Sequence, residues 1–77
     1  MVHGQVPAAL KLRVSPRQNE ILRLAAQGRC DKEIATVLGM SYRTVRTHFE
    51  RLFRQNGVRG RTEAVARWMV SGGEAGG

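Results

Sequence analysis

Apolar residues recur at every third or fourth position through most of the chain, and this spacing predicts helices. Four segments carry the pattern, at about 16–27, 32–38, 42–56 and 63–71. A chain of 77 residues allows one small domain with a single core. The pattern therefore predicts an all-α fold of four short helices.

Residues with strong preferences for helix ends delimit these segments. Ser15 and Gln18 have the spacing of a capping box, and Pro16 suits the first helical position because its missing N–H is not needed there. The N-caps predicted for the other three helices are Asp31, Ser41 and Thr62. Glycines that can adopt the left-handed conformation are predicted to end the first three helices, namely Gly28, Gly39 and Gly57.

The two ends of the chain lack this periodicity. Residues 1–13 are predicted to form a loosely ordered arm, 14–71 the folded domain, and the Gly-rich 72–77 a flexible tail. No apolar run is long enough to span a membrane, and the first residues lack the apolar segment of a signal peptide. A single cysteine, Cys30, excludes an internal disulfide and fits a reducing cytosol. We therefore expect a soluble cytoplasmic protein.

The connection between the second and third predicted helices is too short for anything but a tight turn. Gly39 can adopt a positive φ there without steric cost, and Ala35 is small where the two helices would approach each other. Helices joined by so short a turn cross at a steep angle, which is typical of a helix-turn-helix motif. An ordinary helical corner fits the same pattern, so the turn alone leaves both interpretations open.

Positive charge is concentrated on the third predicted helix and the loop after it. The chain has 13 lysines and arginines against six acids, a net charge of +7. One side of this helix combines arginines with hydrogen-bonding residues: Arg43, Arg46, Thr47, Glu50, Arg51 and Arg54. Arg59 and Arg61 follow in the loop. This distribution favours nucleic acid as the partner over a membrane, because the apolar side of the helix is needed for the core.

No arrangement of residues suggests catalysis or a cofactor. The sequence has no nucleophile with a neighbouring base, no paired carboxylates and no cluster of metal ligands, so we expect no enzyme, no cofactor and no metal. His48 is predicted to pack toward the core with a satisfied hydrogen bond, and a phosphate contact is the alternative. Cys30 is predicted to be a small space-filler in a loop.

The last predicted helix is apolar on nearly every side. Trp68 and Met69 could both belong to the core, but a helix in so small a domain cannot bury its whole circumference. We therefore expect part of this helix to face a second copy of the chain or another domain. The residues predicted at that dimer interface are Val65, Ala66, Met69 and Val70.

Short motifs occur in a fixed order across all four predicted helices. They are Ser15-Pro16-Arg17, Glu20-Ile21-Leu22, Gly28, Lys32-Glu33-Ile34-Ala35, Ser41, Thr44-Val45-Arg46, His48, Gly57-Val58 and Arg61-Thr62-Glu63-Ala64-Val65. In these motifs the chain resembles the LuxR/FixJ/NarL-type DNA-binding domain of bacterial transcription regulators. The resemblance implies a four-helix domain whose third helix enters the major groove and whose fourth helix forms a homodimer. It also implies a protein of the bacterial cytoplasm, associated with the nucleoid when bound, with RNA polymerase as a further candidate partner.

The resemblance also implies roles for individual residues. Those that would meet base edges are Arg46, Thr47 and Glu50, and those nearer the phosphates are Thr44, Arg51 and Arg54. From position alone, Lys32, Ser41 and Arg43 lie near helix N-termini, where backbone N–H groups already favour a phosphate. The predicted function is sequence-specific binding of double-stranded DNA for the regulation of transcription.

Two residues depart from the family pattern. Glu50 stands where a neutral or basic residue is more usual. It could accept a hydrogen bond from a cytosine amino group, but an ion pair with Arg46 or Arg54 is the favoured interpretation. Asn56 replaces a leucine, so either this end of the core is looser or the amide caps the helix.

Two other functions remain compatible with the sequence. A promoter-reading region of a sigma factor shares the helix-turn-helix motif and would bind DNA as a monomer. An interaction module could instead use the last helix to trap a related regulator, and it would not need DNA.

Overall fold

The computed structural model describes residues 12–71 and contains four helices in that part of the chain. They are α1 (Pro16–Ala26), α2 (Asp31–Leu38), α3 (Tyr42–Asn56) and α4 (Arg61–Val70). The all-α prediction is confirmed, and each helix begins and ends within about two residues of its predicted bounds. Residues 1–11 of the predicted arm and the predicted tail at 72–77 lie outside the described residues. Between residues 12 and 71, no helix is both long and apolar enough to cross a membrane.

The predicted N-terminal caps of α1 and α3 are confirmed. At α1 the Ser15 hydroxyl accepts a hydrogen bond from the Gln18 N–H at 3.1 Å, and the Gln18 side-chain oxygen accepts one from the Ser15 N–H at 2.9 Å. At α3 the Ser41 hydroxyl accepts a hydrogen bond from the Thr44 N–H at 3.0 Å. These bonds satisfy backbone donors that the first turn of a helix leaves open.

The predicted N-cap of α2, Asp31, is wrong, because Asp31 is the first residue inside the helix. Cys30 takes the cap position, and its N–H donates a hydrogen bond to the Glu33 carboxylate at 2.9 Å. That bond is the main reason that the pKa of Glu33 lies below its ordinary value. Cys30 is exposed at this helix end, so its prediction as a space-filler is also wrong.

The predicted N-cap of α4, Thr62, is wrong as well. The helix begins one residue earlier, with Gly60 as its cap. The reason is again an acid in the first turn of the helix. The Glu63 carboxylate accepts a hydrogen bond from the Arg59 N–H at 2.9 Å, which fixes the residues just before the helix. Arg61 therefore lies inside the helix.

Glycines end α2 and α3 as predicted. Gly39 and Gly57 are the C-caps of these helices and have φ values of 66° and 65°, in the left-handed region that a side chain disfavours. After Gly39, the Met40 N–H donates to the Ala35 carbonyl at 3.0 Å and closes the turn toward α3. Gly28, just beyond the end of α1, also has a positive φ.

One core joins the four helices. Its fully buried large side chains are Ile21, Leu22, Ile34, Val45 and Leu52. They come from the predicted inward faces of α1, α2 and α3, and α4 contributes Ala64 and Trp68. The core fixes α2 and α3 relative to each other, because Ala35 is buried with Ile34 and Val45 where the two helices meet.

Two sets of polar contacts also join parts of the chain that are far apart in sequence, and the sequence indicated neither pairing. The buried Trp68 indole N–H donates a hydrogen bond to the side-chain oxygen of Asn19, also buried, at 2.7 Å and ties α4 to α1. The Asn56 amide donates to the carbonyl oxygens of Leu52 and Arg13 at 2.9 Å and 3.0 Å, and its oxygen accepts from the Arg13 N–H at 2.6 Å. Of the two alternatives for Asn56, the structure therefore shows the helix cap.

Candidate nucleic-acid interface

Helix α3 turns one polar face toward solvent. This polar face of α3 consists of Arg43, Arg46, Thr47, Glu50, Arg51 and Arg54. Its four arginines and Glu50 are exposed, and Thr47 is half-buried. The opposite side of the helix is packed into the core through Val45, Phe49 and Leu52. The predicted separation of a charged face from an apolar face is confirmed.

Of the residues predicted near phosphates, Arg43, Arg51 and Arg54 belong to this face, and the others are Lys32, Ser41 and Thr44. Lys32 is exposed in the first turn of α2, and Arg43 and Thr44 are exposed in the first turn of α3. Ser41 is also exposed, but its hydroxyl caps α3 and lies 2.8 Å from the hydroxyl of Thr44. Both hydroxyls therefore have a partner within the protein, while Lys32 and Arg43 offer charge at two neighbouring helix starts.

Arg46 is held in place by a neighbour that the sequence did not single out. Its guanidinium donates a hydrogen bond to the Tyr42 hydroxyl at 3.1 Å and lies 5.7 Å from the centre of the Tyr42 ring. This bond is the main reason that the pKa of Arg46 lies above its ordinary value. The spacing of four residues between an aromatic residue and an arginine on a helix is the signal that could have predicted the contact.

The predicted ion pair of Glu50 is wrong. Among the described residues, no ion pair joins the Glu50 carboxylate to Arg46 or Arg54. Instead, the guanidinium of Arg46 donates a hydrogen bond to the Tyr42 hydroxyl. Glu50 is exposed in the middle of the polar face and keeps its capacity to accept hydrogen bonds.

Arg61 does not belong to the exposed positive charge, although it was counted with it in the sequence. Its guanidinium donates hydrogen bonds to the Asp31 carboxylate and to the Arg29 carbonyl oxygen. It also lies 5.1 Å from the centre of the Phe49 ring. The side chains of Arg61 and Asp31 are 35% and 23% exposed, so this ion pair is partly shielded from water. Arg61 therefore joins the start of α4 to α2 and α3.

His48 lies on the flank of α3, half-buried, and has no hydrogen bond to another described residue. The prediction of a satisfied hydrogen bond is therefore wrong within this part of the chain. Burial, followed by the charges of Arg51 and Arg17, holds the pKa of His48 below its ordinary value. Across residues 12–71, no group of three potential ligands could hold a metal ion.

Helix α4 presents an apolar surface on the side away from the core. Met69 and Val70 are 61% and 55% exposed, whereas the neighbouring Trp68 is only 7% exposed. Of the other residues predicted at the dimer interface, Ala66 is exposed and Val65 is half-buried at the edge of the core. The outward apolar face of α4 is therefore Val65, Ala66, Met69 and Val70.

Comparison with known proteins gives one consistent result. The model of the family "Bacterial regulatory proteins, luxR family" matches residues 13–69. Response regulator Rre1 of Synechocystis is 42% identical over 59 residues, which are 77% of this chain and 26% of that protein. The putative HTH-type transcriptional regulator YhjB of Escherichia coli is 41% identical over 58 residues, which are 75% of this chain and 29% of that protein.

The spore germination protein GerE of Bacillus subtilis is similar over most of its length. It is 36% identical over 59 residues, which are 77% of this chain and 80% of that protein. A solved structure of the transcription factor GerE has a TM-score of 0.74 at 30% identity and covers 78% of this chain and 90% of that chain. The chain thus spans most of GerE but less than a third of the length of Rre1 and YhjB.

Proposed function

Because the chain belongs to the luxR family of bacterial regulatory proteins, we propose that it binds double-stranded DNA sequence-specifically and regulates transcription. The observation that carries the proposal is the polar face of α3, where four arginines are exposed. Among the described residues, none of these arginines pairs with an acid. A surface of this kind attracts a polyanion, and an exposed face of a single helix suits the major groove.

The length of α3 divides its polar face into two parts. Its 15 residues span about 22 Å, whereas the major groove is about 12 Å wide, so only part of the helix reaches base edges. We assign Arg46, Thr47 and Glu50 to the bases. A guanidinium suits the two acceptors of guanine, a threonine methyl group suits the thymine methyl, and an unpaired carboxylate suits the cytosine amino group.

The remaining polar residues are assigned to the DNA backbone. They are Lys32, Ser41, Arg43, Thr44, Arg51 and Arg54. Such contacts position the protein but do not distinguish sequences, and each neutralised phosphate makes binding more sensitive to salt. The ratio of base contacts to backbone contacts therefore sets how much of the affinity depends on sequence.

The outward apolar face of α4 supports binding as a homodimer. Exposed Met69 and Val70 lie side by side on a surface that would lose contact with water against a second copy. Two copies could occupy half-sites about one helical turn apart and would bind more tightly together than singly. This function locates the protein at the nucleoid in the bacterial cytoplasm, where RNA polymerase is the further partner that regulation requires.

Titrations of the chain with a selected duplex and a random duplex, each over a range of salt concentrations, test DNA binding. We expect affinity to fall with salt for both, and Arg46→Ala to weaken the selected duplex by about ten- to a hundredfold more than the random one. The matched control is Arg23→Ala on α1, which removes the same charge outside α3. No binding to either duplex, or equal losses for both variants, would contradict the proposal.

The mass of the chain in solution tests the dimer. Val70→Asp should shift the protein toward the monomer, whereas Val37→Asp should not, although Val37 on α2 is 52% exposed and Val70 is 55% exposed. Sequence-specific binding by a chain that is monomeric even on DNA would favour the sigma-like promoter reader. Self-association without any DNA binding would favour the interaction module.

A further inference from the structure

A cleft of about 510 Å³ runs along one flank of α3, between that helix and the residues that precede α1. The polar residues that line it are Arg13, Ser15, Gln18, His48, Arg51 and Gln55. The cleft therefore combines hydrogen-bond donors with positive charge, and no acid among residues 12–71 lines it.

The charges around the cleft come from three parts of the fold. Arg51 projects from α3, Arg13 from the segment before α1, and Arg17 lies in the first turn of α1. Arg17 is paired with Glu20 at 3.0 Å, whereas among the described residues no acid pairs with Arg13 or Arg51. Since Arg51 and Arg17 both lower the pKa of His48, their positive fields reach the imidazole.

Arg13 is fixed beside the cleft by its own backbone. Its N–H donates to the side-chain oxygen of Asn56 at 2.6 Å, and its carbonyl oxygen accepts from the Asn56 amide at 3.0 Å. Asn56 in turn caps α3 by donating to the Leu52 carbonyl. An exchange of two hydrogen bonds across 43 residues of sequence thus attaches the segment before α1 to the end of α3.

The cleft has the position that a DNA-backbone site requires. His48, Arg51 and Gln55 follow one another at helical spacing along one edge of the polar face of α3, to which Arg51 itself belongs. When a helix lies in the major groove, its outermost face meets the bases and its flanks meet the phosphates that form the groove walls. A phosphate on this side would lie against the cleft.

We propose that this cleft binds one phosphodiester of the DNA backbone, with Arg13 and Arg51 as its charged ligands and His48 as a further donor in the protonated state. The assignment rests on the proposed function, because it requires α3 to lie in the groove. It extends the interface beyond the helix-turn-helix motif to the segment before α1. It also makes Asn56 a positioning residue for Arg13.

The position of His48 in the cleft predicts that its imidazole takes up a proton when DNA binds. In the free protein the lowered pKa keeps His48 mostly neutral at neutral pH. A bound phosphate favours the charged imidazolium and raises that pKa, so the complex holds more protons than the free protein. By linkage, affinity should rise as pH falls between the pKa of the complex and that of the free chain.

The effect of salt tests the role of Arg13 with a random-sequence duplex and the full chain. Arg13→Gln should weaken binding by about threefold to tenfold and lower the slope of log affinity against log salt by about one. Asn56→Leu should reproduce part of both changes, because it keeps the charge of Arg13 but removes the hydrogen bonds that hold the Arg13 backbone beside the cleft. The control Arg23→Gln should change neither. An unchanged slope in Arg13→Gln would overturn the assignment.

The effect of pH tests the role of His48. The imidazole resonances of the wild-type chain, followed by NMR from about pH 8 to about pH 5, should give a higher pKa in the DNA complex than in the free protein. His48→Gln should bind DNA with less dependence on pH. A His48 pKa that is unchanged or lower on DNA would exclude the phosphate contact. Failure of the wild-type chain to bind any duplex would instead refute the proposed function itself, so the two failures are distinguishable.

Discussion

The outward faces of α3 and α4 differ in chemistry, although both helices bury an apolar side in the same core. The polar face of α3 presents four exposed arginines, and the outward face of α4 presents Met69 and Val70. Charged side chains are stable when exposed to water, whereas the burial of exposed apolar side chains against another surface lowers the free energy. One small domain can therefore carry two surfaces, one suited to a polyanion and one to another apolar surface.

Position in the fold, and not residue type, decides which surface a residue belongs to. Trp68 and Met69 are neighbours in sequence, yet the first is buried and hydrogen-bonded to Asn19 and the second is 61% exposed. Arg46 and Arg61 are both arginines close to Phe49, yet Arg61 is bonded to the protein's own carboxylate and carbonyl groups. Substitutions of Trp68 and Arg61 should therefore lower the stability of the fold, whereas substitutions of Met69 and Arg46 should weaken binding to a partner.

The largest effect is expected at the buried member of the α4 pair. Trp68→Ala should lower the free energy of unfolding by about 3 to 5 kcal/mol, because it leaves a cavity and removes the bond to Asn19. At a protein concentration where both variants are monomeric, Met69→Ala should change it by less than about 0.5 kcal/mol, because Met69 is 61% exposed. Urea denaturation followed by circular dichroism gives both values. Similar losses for the two variants would mean that α4 has no outward face in solution.

A smaller effect is expected at Arg61. Arg61→Ala should lower the free energy of unfolding by about 1 to 2 kcal/mol, because it leaves a partly buried carboxylate and a carbonyl oxygen without their donor. The matched variant Arg46→Ala should leave the urea midpoint unchanged and should weaken DNA binding instead. If Arg61→Ala instead kept full stability and weakened DNA binding as strongly as Arg46→Ala, Arg61 would belong to the DNA interface and not to the contacts that join α4 to α2.

The sequence was sufficient for most of the features that depend on local spacing. The helix order, the capping box at Ser15, the glycine ends and the two faces of α3 all follow from residues within one or two turns of one another. The wrong caps at α2 and α4 are also local, and they show that an acid three residues on, Glu33 or Glu63, can determine the cap more strongly than a favourable cap residue.

Three of the contacts that escaped prediction join residues far apart in sequence, whereas the contact of Tyr42 with Arg46 lies within one turn of α3. Trp68 and Asn19 are 49 positions apart, Arg13 and Asn56 are 43 apart, and Arg61 and Asp31 are 30 apart. No periodicity connects such pairs, because their meeting depends on how the helices pack. Charge counted along the chain therefore overstated the basic surface by including Arg61, and it missed the attachment of Arg13 beside α3.

The smallest effect is expected at Tyr42. Its substitution tests whether the guanidinium of Arg46 is merely exposed or is also oriented by the protein before DNA binds. Tyr42→Phe keeps the ring beneath Arg46 but removes the hydroxyl that accepts its hydrogen bond at 3.1 Å. If that bond orients the guanidinium before it meets a base, its loss should weaken a selected duplex by about two- to tenfold and a random duplex hardly at all. Stability should not change, because Tyr42 is 44% exposed. Equal weakening on both duplexes would show that Tyr42 acts on the backbone, and tighter binding by Tyr42→Phe would show that the hydroxyl competes with DNA for Arg46.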